Sequence, residues 1–174
     1  MDRIETKRHG GALSDAPGHL IRRLQQIAVA VFMQETRAFD ITPVQYAALH
    51  TIARQPGIDQ TGLANSIAFD RSTIAVVVEK LESKKLITRK AGAVDRRTKL
   101  LHATAAGKKL LDAIAPAVDS AQAQILAPLP PIERTPFMAM LRRIVDSNNG
   151  YSRAPLRVAG QAPRRSKVAR RPRA

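Results

Sequence analysis

The chain has 174 residues, a usual size for one folded domain (roughly 100–200 residues), with 44% hydrophobic and 3% aromatic residues and a net charge of +15. The absence of cysteine excludes disulfides, thiolate zinc sites and thiol redox sensing, and the sparse aromatics leave little for stacking single-stranded bases. No apolar run approaches the ~18 residues of a membrane span and residues 1–11 hold no apolar signal segment, so a soluble, cytoplasmic protein without membrane contact is expected. The charge is uneven. The stretch after Gly150 carries eight bases and no acid, which leaves +7 for residues 1–150; within 71–99, nine bases against Glu79, Glu82 and Asp95 give a local +6. Such clustering is the footprint of a polyanion partner.

In chain order, residues 1–14 are polar and expected to be flexible. Asp15 and Pro17 form a start signal, and Leu20, Leu24, Ile27 and Val31 follow at helical spacing, so a long first helix is predicted at about 17–38. Thr42-Pro43-Val44-Gln45 is a second start: Thr42 caps, Pro43 fits the first turn and Gln45 reaches back to close a capping box. That helix should run to about Arg54, before Pro56-Gly57. A third, near 60–68, has Asp59 as its cap and Leu63, Ala64 and Ile67 facing inward. The fourth, 71–84, starts after Asp70, whose carboxylate caps it and suits the positive dipole end, and Ile74, Val77, Val78 and Leu81 form its apolar stripe. Two β-type segments, 87–91 and 98–103, flank Ala91-Gly92-Ala93-Val94-Asp95-Arg96-Arg97, a turn ending in charge. A fifth helix spans Ala105 to about Leu126, bent at Pro116. Pro128, Pro130, Pro131 and Pro136 point to a non-helical link before a sixth helix starting at Thr135-Pro136, with 137–146 its firmest part and Phe137, Met140, Leu141, Ile144 and Val145 apolar. After 148 the chain is Pro-, Arg- and Ala-rich and is expected to be disordered.

The fold class is therefore mostly α with a small β-hairpin. Helix, strand, basic turn, strand is the layout of a winged helix-turn-helix, in which one helix and one hairpin tip read adjacent grooves of DNA. The fourth helix turns Ser72, Thr73, Ala75, Val76, Glu79, Lys80 and Ser83 away from its apolar stripe. Small side chains near its start admit base edges, and Lys80 and Lys84 can reach phosphates. Val76 is either a valine outside the core stripe or a methyl contact to thymine. The basic tail either adds phosphate contacts, each raising the salt slope by nearly one unit, or is inert. His9, His19, His50 and His102 lack metal-ligand spacing, and no acid pair, nucleophile motif or phosphate loop is present, so no metal, cofactor or enzymatic activity is expected.

The fragments Thr42-Pro43-Val44-Gln45-Tyr46-Ala47-Ala48-Leu49, Pro56-Gly57-Ile58-Asp59-Gln60, Leu63-Ala64, Asp70-Arg71-Ser72-Thr73, Leu81-Glu82-Ser83-Lys84-Lys85-Leu86-Ile87, Asp95-Arg96-Arg97 and Thr104-Ala105-Ala106-Gly107 together resemble the MarR family of bacterial transcription regulators over about residues 17–147. Around 42–70 the chain is similar to the branch governing catabolism of aromatic acids, including nicotinate-type compounds. The resemblance implies a homodimer with a helical dimerisation platform (about 17–38 and 105–147) and one winged lobe (about 42–104) per protomer, the whole domain spanning 15–148 and the tail 149–174. It further implies a fourth helix in the major groove, and a wing whose Arg97, braced by Asp95, enters the minor groove of a pseudo-palindromic operator. The residues then expected to meet double-stranded DNA are Gln60, Thr61, Arg71, Ser72, Thr73, Ala75, Val76, Lys80, Lys84, Arg89, Asp95, Arg96, Arg97 and Lys99.

By the same resemblance a small effector sits between platform and lobe, near the first, second and fifth helices. His19, Arg22, Arg23, Tyr46 and His50 are the polar residues there: an arginine takes a carboxylate bidentately and Tyr46 offers a ring face, so an anionic aromatic effector is expected to release a repressor from DNA. Surface placement of His19, Arg22 and Arg23, and simple packing of Tyr46 on His50, explain the same residues without a ligand. Architectural DNA or RNA binding without an effector and a protein-interaction platform are the competing functional classes. Two departures stand out: Lys85 replaces the family's glycine after the fourth helix, a cost of about 0.5–1 kcal/mol if the left-handed cap is kept, and His102-Ala103-Thr104 replaces the usual Leu-Thr, weakening one core position of the second wing strand.

Overall fold

The computed structural model describes residues 12–92 and 97–157. After a 3-10 turn at Leu13–Asp15, α1 runs Pro17–Glu35, followed by α2 (Pro43–Arg54), β1 (Ile58–Asp59), α3 (Gln60–Ile67), α4 (Arg71–Ser83), β2 (Ile87–Ala91), β3 (Lys99–Ala103), α5 (Ala105–Leu126) and α6 (Pro131–Asn148). The strands form one antiparallel sheet in the order β1-β3-β2, with Ile87 opposite Ala103 and Ile58 opposite Leu101. No described helix is long and apolar enough to cross a membrane.

The starts of the lobe's helices follow from their side-chain caps. The Gln45 N–H donates to Thr42 Oγ1 and the Thr42 N–H to Gln45 Oε1, each at 3.3 Å, completing the capping box with Pro43 in the first turn. Asp59 Oδ1 accepts from the Gly62 N–H at 2.6 Å and opens α3. The stripe of α4 meets Leu49, Ile52, Leu63, Ile87, Leu101 and Ile114 in one core, and Ile74, Val78 and Leu81 are fully buried.

Several boundaries differ from expectation. α1 stops at Glu35 rather than 38: the Thr36 N–H makes the last helical bond, to the Phe32 carbonyl at 2.9 Å, and the chain then tightens into a 3-10 turn at Arg37–Phe39 and ends on a left-handed Asp40. The sixth helix begins at Pro131, not at Thr135-Pro136: Pro131 takes the first helical position, where a missing N–H costs nothing, and Pro136 forfeits only the bond to the Ile132 carbonyl. β1 was not predicted, since two residues are too few for a periodic signal. The core position expected to suffer at His102 is filled by Leu101, which is fully buried, while His102 lies over Gly57.

Two findings concern the stripe residues of α1 and the chain end. Leu20 and Ile27 are exposed and only Phe32 of α1 is buried; no residue of α6 is buried at all. Residues 149–157, expected to be without structure, form a 3-10 turn at Asn149–Tyr151 and then a strap that hydrogen-bonds to α3. The expectations for residues 1–11 and 158–174 lie outside the described residues.

At the end of α4, Lys85 adopts φ +58°, so the left-handed cap is kept without glycine. Beside it, the Thr104 N–H donates to the Leu86 carbonyl at 3.0 Å, the Thr104 hydroxyl donates to the Lys85 carbonyl at 2.8 Å, and the Gly107 N–H donates to that hydroxyl at 3.0 Å. A Cβ on Gly107 would stand 2.2 Å from the Leu86 carbonyl oxygen, so only glycine lets α5 approach. Gly107→Ala is expected to lower unfolding stability by about 1–3 kcal/mol, and Lys85→Gly to raise it by about 0.5–1 kcal/mol, both read from urea denaturation.

Candidate nucleic-acid interface

α4 is amphipathic by construction. With Ile74, Val77, Val78 and Leu81 turned into the core, Arg71, Ser72, Val76 and Lys80 stand on the outer face, with Thr73 and Ala75 partly covered at its margins. Val76 is 53% exposed, outside the core stripe, and leaves an apolar methyl surface among polar neighbours. Gln60 and Thr61 are half-buried at the first turn of α3. At the wing, β2 and β3 close through the Gly92 N–H on the Thr98 carbonyl at 2.9 Å, and Arg97 and Lys99 are exposed next to that closure. Asp95 and Arg96, and with them the bracing of Arg97 by Asp95, lie outside the described residues.

Two expected phosphate contacts have partners within the protein. Lys84 Nζ lies 2.9 Å from Asp40 Oδ2 and also donates to the Asp40 carbonyl, tying the end of α4 to the turn before α2. Arg89 Nε lies 2.9 Å from Glu82 Oε2, a pair across β2 and α4 in which the arginine side chain is largely covered. Either cation reaches DNA only by leaving its carboxylate, whereas Lys80 and Lys99 carry no such pair among the described residues. Lys90, on the exposed side of β2, and Arg153 and Arg157, brought round from the chain end, join this basic surface. Lys90 was legible as a wing base. No sequence signal could have placed Arg153 and Arg157.

The effector candidates fall into two groups. Phe32, Tyr46 and His50 stack in sequence, with ring centroids 5.8 Å apart in each pair. Burial pushes the Tyr46 hydroxyl pKa up, and the Asp119 carboxylate on α5 acts in the same direction. His19, Arg22 and Arg23 sit near the start of α1, where Arg22 Nη1 donates to Gln26 Oε1 at 3.2 Å. Arg22 precedes Phe32 by ten residues, about 15 Å along a helix, so within one chain a small aromatic acid touches one group or the other. Between α1, α5 and α6 lies an open apolar cavity of about 440 Å³ lined by Ile21, Leu24, Ala28, Ile125, Phe137 and Leu141; a second, of about 210 Å³, adjoins Phe32 and Pro43. Among the described residues no cluster of His, Asp or Glu could hold a metal ion.

The start of α4 depends on Asp70. Its carboxylate accepts from the Ser72 hydroxyl at 2.5 Å, the Thr73 N–H at 2.9 Å and the Thr73 hydroxyl at 2.8 Å. These bonds, the Ser72 hydroxyl first, hold its pKa well below the usual carboxylate range. A depressed folded-state pKa gives stability that is complete above the unfolded value of about 3.9 and is lost as pH falls below it. The Tm difference between the native chain and Asp70→Ala is therefore expected to be largest at neutral pH and to shrink as pH falls below about 4.

Known proteins share this arrangement. Residues 41–99 match the MarR family model. The chain is 32% identical over 136 residues to the transcriptional regulator HosA of Escherichia coli O127:H6, covering 78% of this chain and 99% of that protein. Its fold is similar to that of BpsR of Bordetella bronchiseptica, whose DNA binding is regulated by 6-hydroxynicotinic acid, with a TM-score of 0.74, 28% identity and coverage of 78% and 97%. It is similar also to the repressor CouR of Rhodococcus jostii RHA1 bound to a 23-mer DNA duplex, with a TM-score of 0.73, 25% identity and coverage of 78% and 96%. The chain belongs to the MarR family of DNA-binding transcriptional regulators.

Proposed function

We propose that this regulator is a homodimeric repressor that leaves a pseudo-palindromic operator when a small anionic aromatic compound binds. The observation that carries the dimer is the unpartnered apolar face of the platform: Leu20, Ile21 and Ile27 on α1 and Met140, Ile144 and Val145 on α6 are about half exposed, and the apolar cavity opens between those helices. Covering such a face is worth roughly 25 cal/mol per Å², and a two-fold partner supplies a self-complementary cover. Two lobes then set two α4 helices about one helical turn of DNA apart.

Within each lobe, Ser72, Thr73, Ala75 and Val76 meet base edges in the major groove while Arg71, Lys80, Gln60 and Thr61 meet the backbone. Arg97, which Asp95, Arg96 and Lys99 neighbour in sequence, enters the minor groove, where weak hydration makes a guanidinium cheap to insert. The effector packs its ring against Tyr46 and His50, or gives its anionic substituent to a cation of the His19, Arg22 and Arg23 group. BpsR, similar over most of this chain, responds to a hydroxylated pyridine carboxylate, which favours that ligand class. Release is a population shift, so the ligand must bind more tightly to the spacing of the two α4 helices that does not fit DNA.

Footprinting on the DNA upstream of its own coding region, at near-physiological salt with excess nonspecific competitor, should protect two half-sites, and Arg97→Ala should weaken binding about tenfold or more. Competitor-sensitive smearing without a footprint would replace this reading with nonspecific architectural binding. In sedimentation the native chain should run as two copies and Ile144→Asp as one. A panel of hydroxylated benzoates and pyridine carboxylates should contain a compound that raises Tm and abolishes the footprint; a panel with no such compound sinks the effector.

A further inference from the structure

The chain beyond α6 returns to the DNA-reading lobe. Asn149 grips Leu156 with both ends of its amide: Nδ2 donates to the Leu156 carbonyl at 3.0 Å and Oδ1 accepts the Leu156 N–H at 2.8 Å. Arg157 then donates its N–H to the Asn65 carbonyl, in the last turn of α3, at 2.9 Å. Helix-end oxygens have no partner within their own helix, so the strap satisfies a group that α3 leaves open. Arg153 stands close enough to Asp70 to favour its charged form. The two arginines therefore bracket the α3–α4 corner, Arg157 at the end of α3 and Arg153 beside the cap of α4.

Core formation does not account for this strap. No residue of 149–157 is buried, and Arg153 and Arg157 are both exposed. Ordering the segment costs conformational entropy, and with none of it buried there is little hydrophobic gain to offset that cost. Neither arginine makes an ion pair among the described residues. Asp70, the carboxylate beside Arg153, is already engaged by Ser72 and Thr73. The result is a pair of guanidinium groups held at the same corner as the exposed Arg71, in the first turn of α4. A guanidinium presents a planar fork of donors that matches phosphate oxygens. Resting on the DNA-binding reading above, we propose that the strap 149–157 is a third DNA-contacting element beside α4 and the wing, in which Arg153 and Arg157 bind backbone phosphates flanking the groove segment read by the start of α4. These contacts add affinity and fix register without reading sequence, because phosphates carry no base information.

The test uses the full chain on a footprinted fragment and compares three variants with it: Arg153→Gln with Arg157→Gln, Arg153→Lys with Arg157→Lys, and Asn149→Ala. The Gln pair should leave Tm unchanged, since both side chains are exposed. It should lower the slope of log affinity against log salt by nearly one unit per lost contact, about two for one engaged protomer and about four for two. The Lys pair keeps the charge and should hold most of that slope. Ethylation interference with the native chain should mark phosphates outside the α4 contacts, and the Gln pair should lose those marks alone. Asn149→Ala should lose part of the same increment, and nothing further when the arginines are already Gln. An intact footprint with unchanged slope and unchanged interference overturns the strap contact and leaves the DNA-binding reading standing. An equal loss in the Gln and Lys pairs, or a loss that tracks a fall in Tm, assigns the strap a structural role and overturns its contact with DNA. A Gln effect on the slope with no interference mark lost, or with no effect of Asn149→Ala, overturns the fixed placement of these contacts. If even the native chain gives no footprint, the DNA-binding reading falls and takes this one with it.

Discussion

The Leu86 carbonyl is the point where α4, the β2–β3 hairpin and α5 are tied together. It accepts the Thr104 N–H while the Thr104 hydroxyl takes the neighbouring Lys85 carbonyl, and Gly107 leaves the space that lets α5 come this close. The knot fixes three directions at once: where α4 ends, where β2 begins and how α5 departs for the platform. Its cost is visible in Lys85, a non-glycine residue held at positive φ because the surrounding bonds determine its backbone.

From that junction the chain divides into parts with different energetics. The lobe is built on a closed core, with Leu49, Ile52, Leu63, Ile74, Leu81 and Leu101 fully buried, into which Phe32 of α1 and Ile114 and Val118 of α5 also pack. In the platform, α1 touches α5 and is linked to it by the Gln124 amide donating to Glu35 at 2.8 Å, yet much of its apolar surface and that of α6 faces outward. The Lys84–Asp40 pair spans the same divide, joining the end of α4 to the turn that links α1 and α2.

The basic surface is likewise shared between local and distant contributions. Lys80, Lys90, Arg97 and Lys99 come from the helix and wing themselves, whereas Arg153 and Arg157 arrive from the far end of the chain through the Asn149 clamp. Lys84 and Arg89, equally basic on paper, are engaged by carboxylates of the protein. Formal charge counts cations; only the fold says which of them face outward.

What the residue pattern determined by itself is whatever depends on neighbours a few positions apart. The capping box of Thr42 and Gln45, the caps at Asp59 and Asp70, and the apolar stripe of α4 were all legible, because a cap or a helical face is set by spacing of three or four residues. Their order was enough to name the winged helix and, through several weak fragments together, its family. The sequence misled where distant contacts decide: Pro136 looked like a helix start and is absorbed inside α6, and residues 149–157 looked structureless yet form a 3-10 turn and a strap bonded through Arg157 to Asn65. The tertiary structure alone decided these, since a stripe on a helix announces that something will cover it but not what, and a hydrogen bond between residues 65 and 157 leaves no trace in either local sequence.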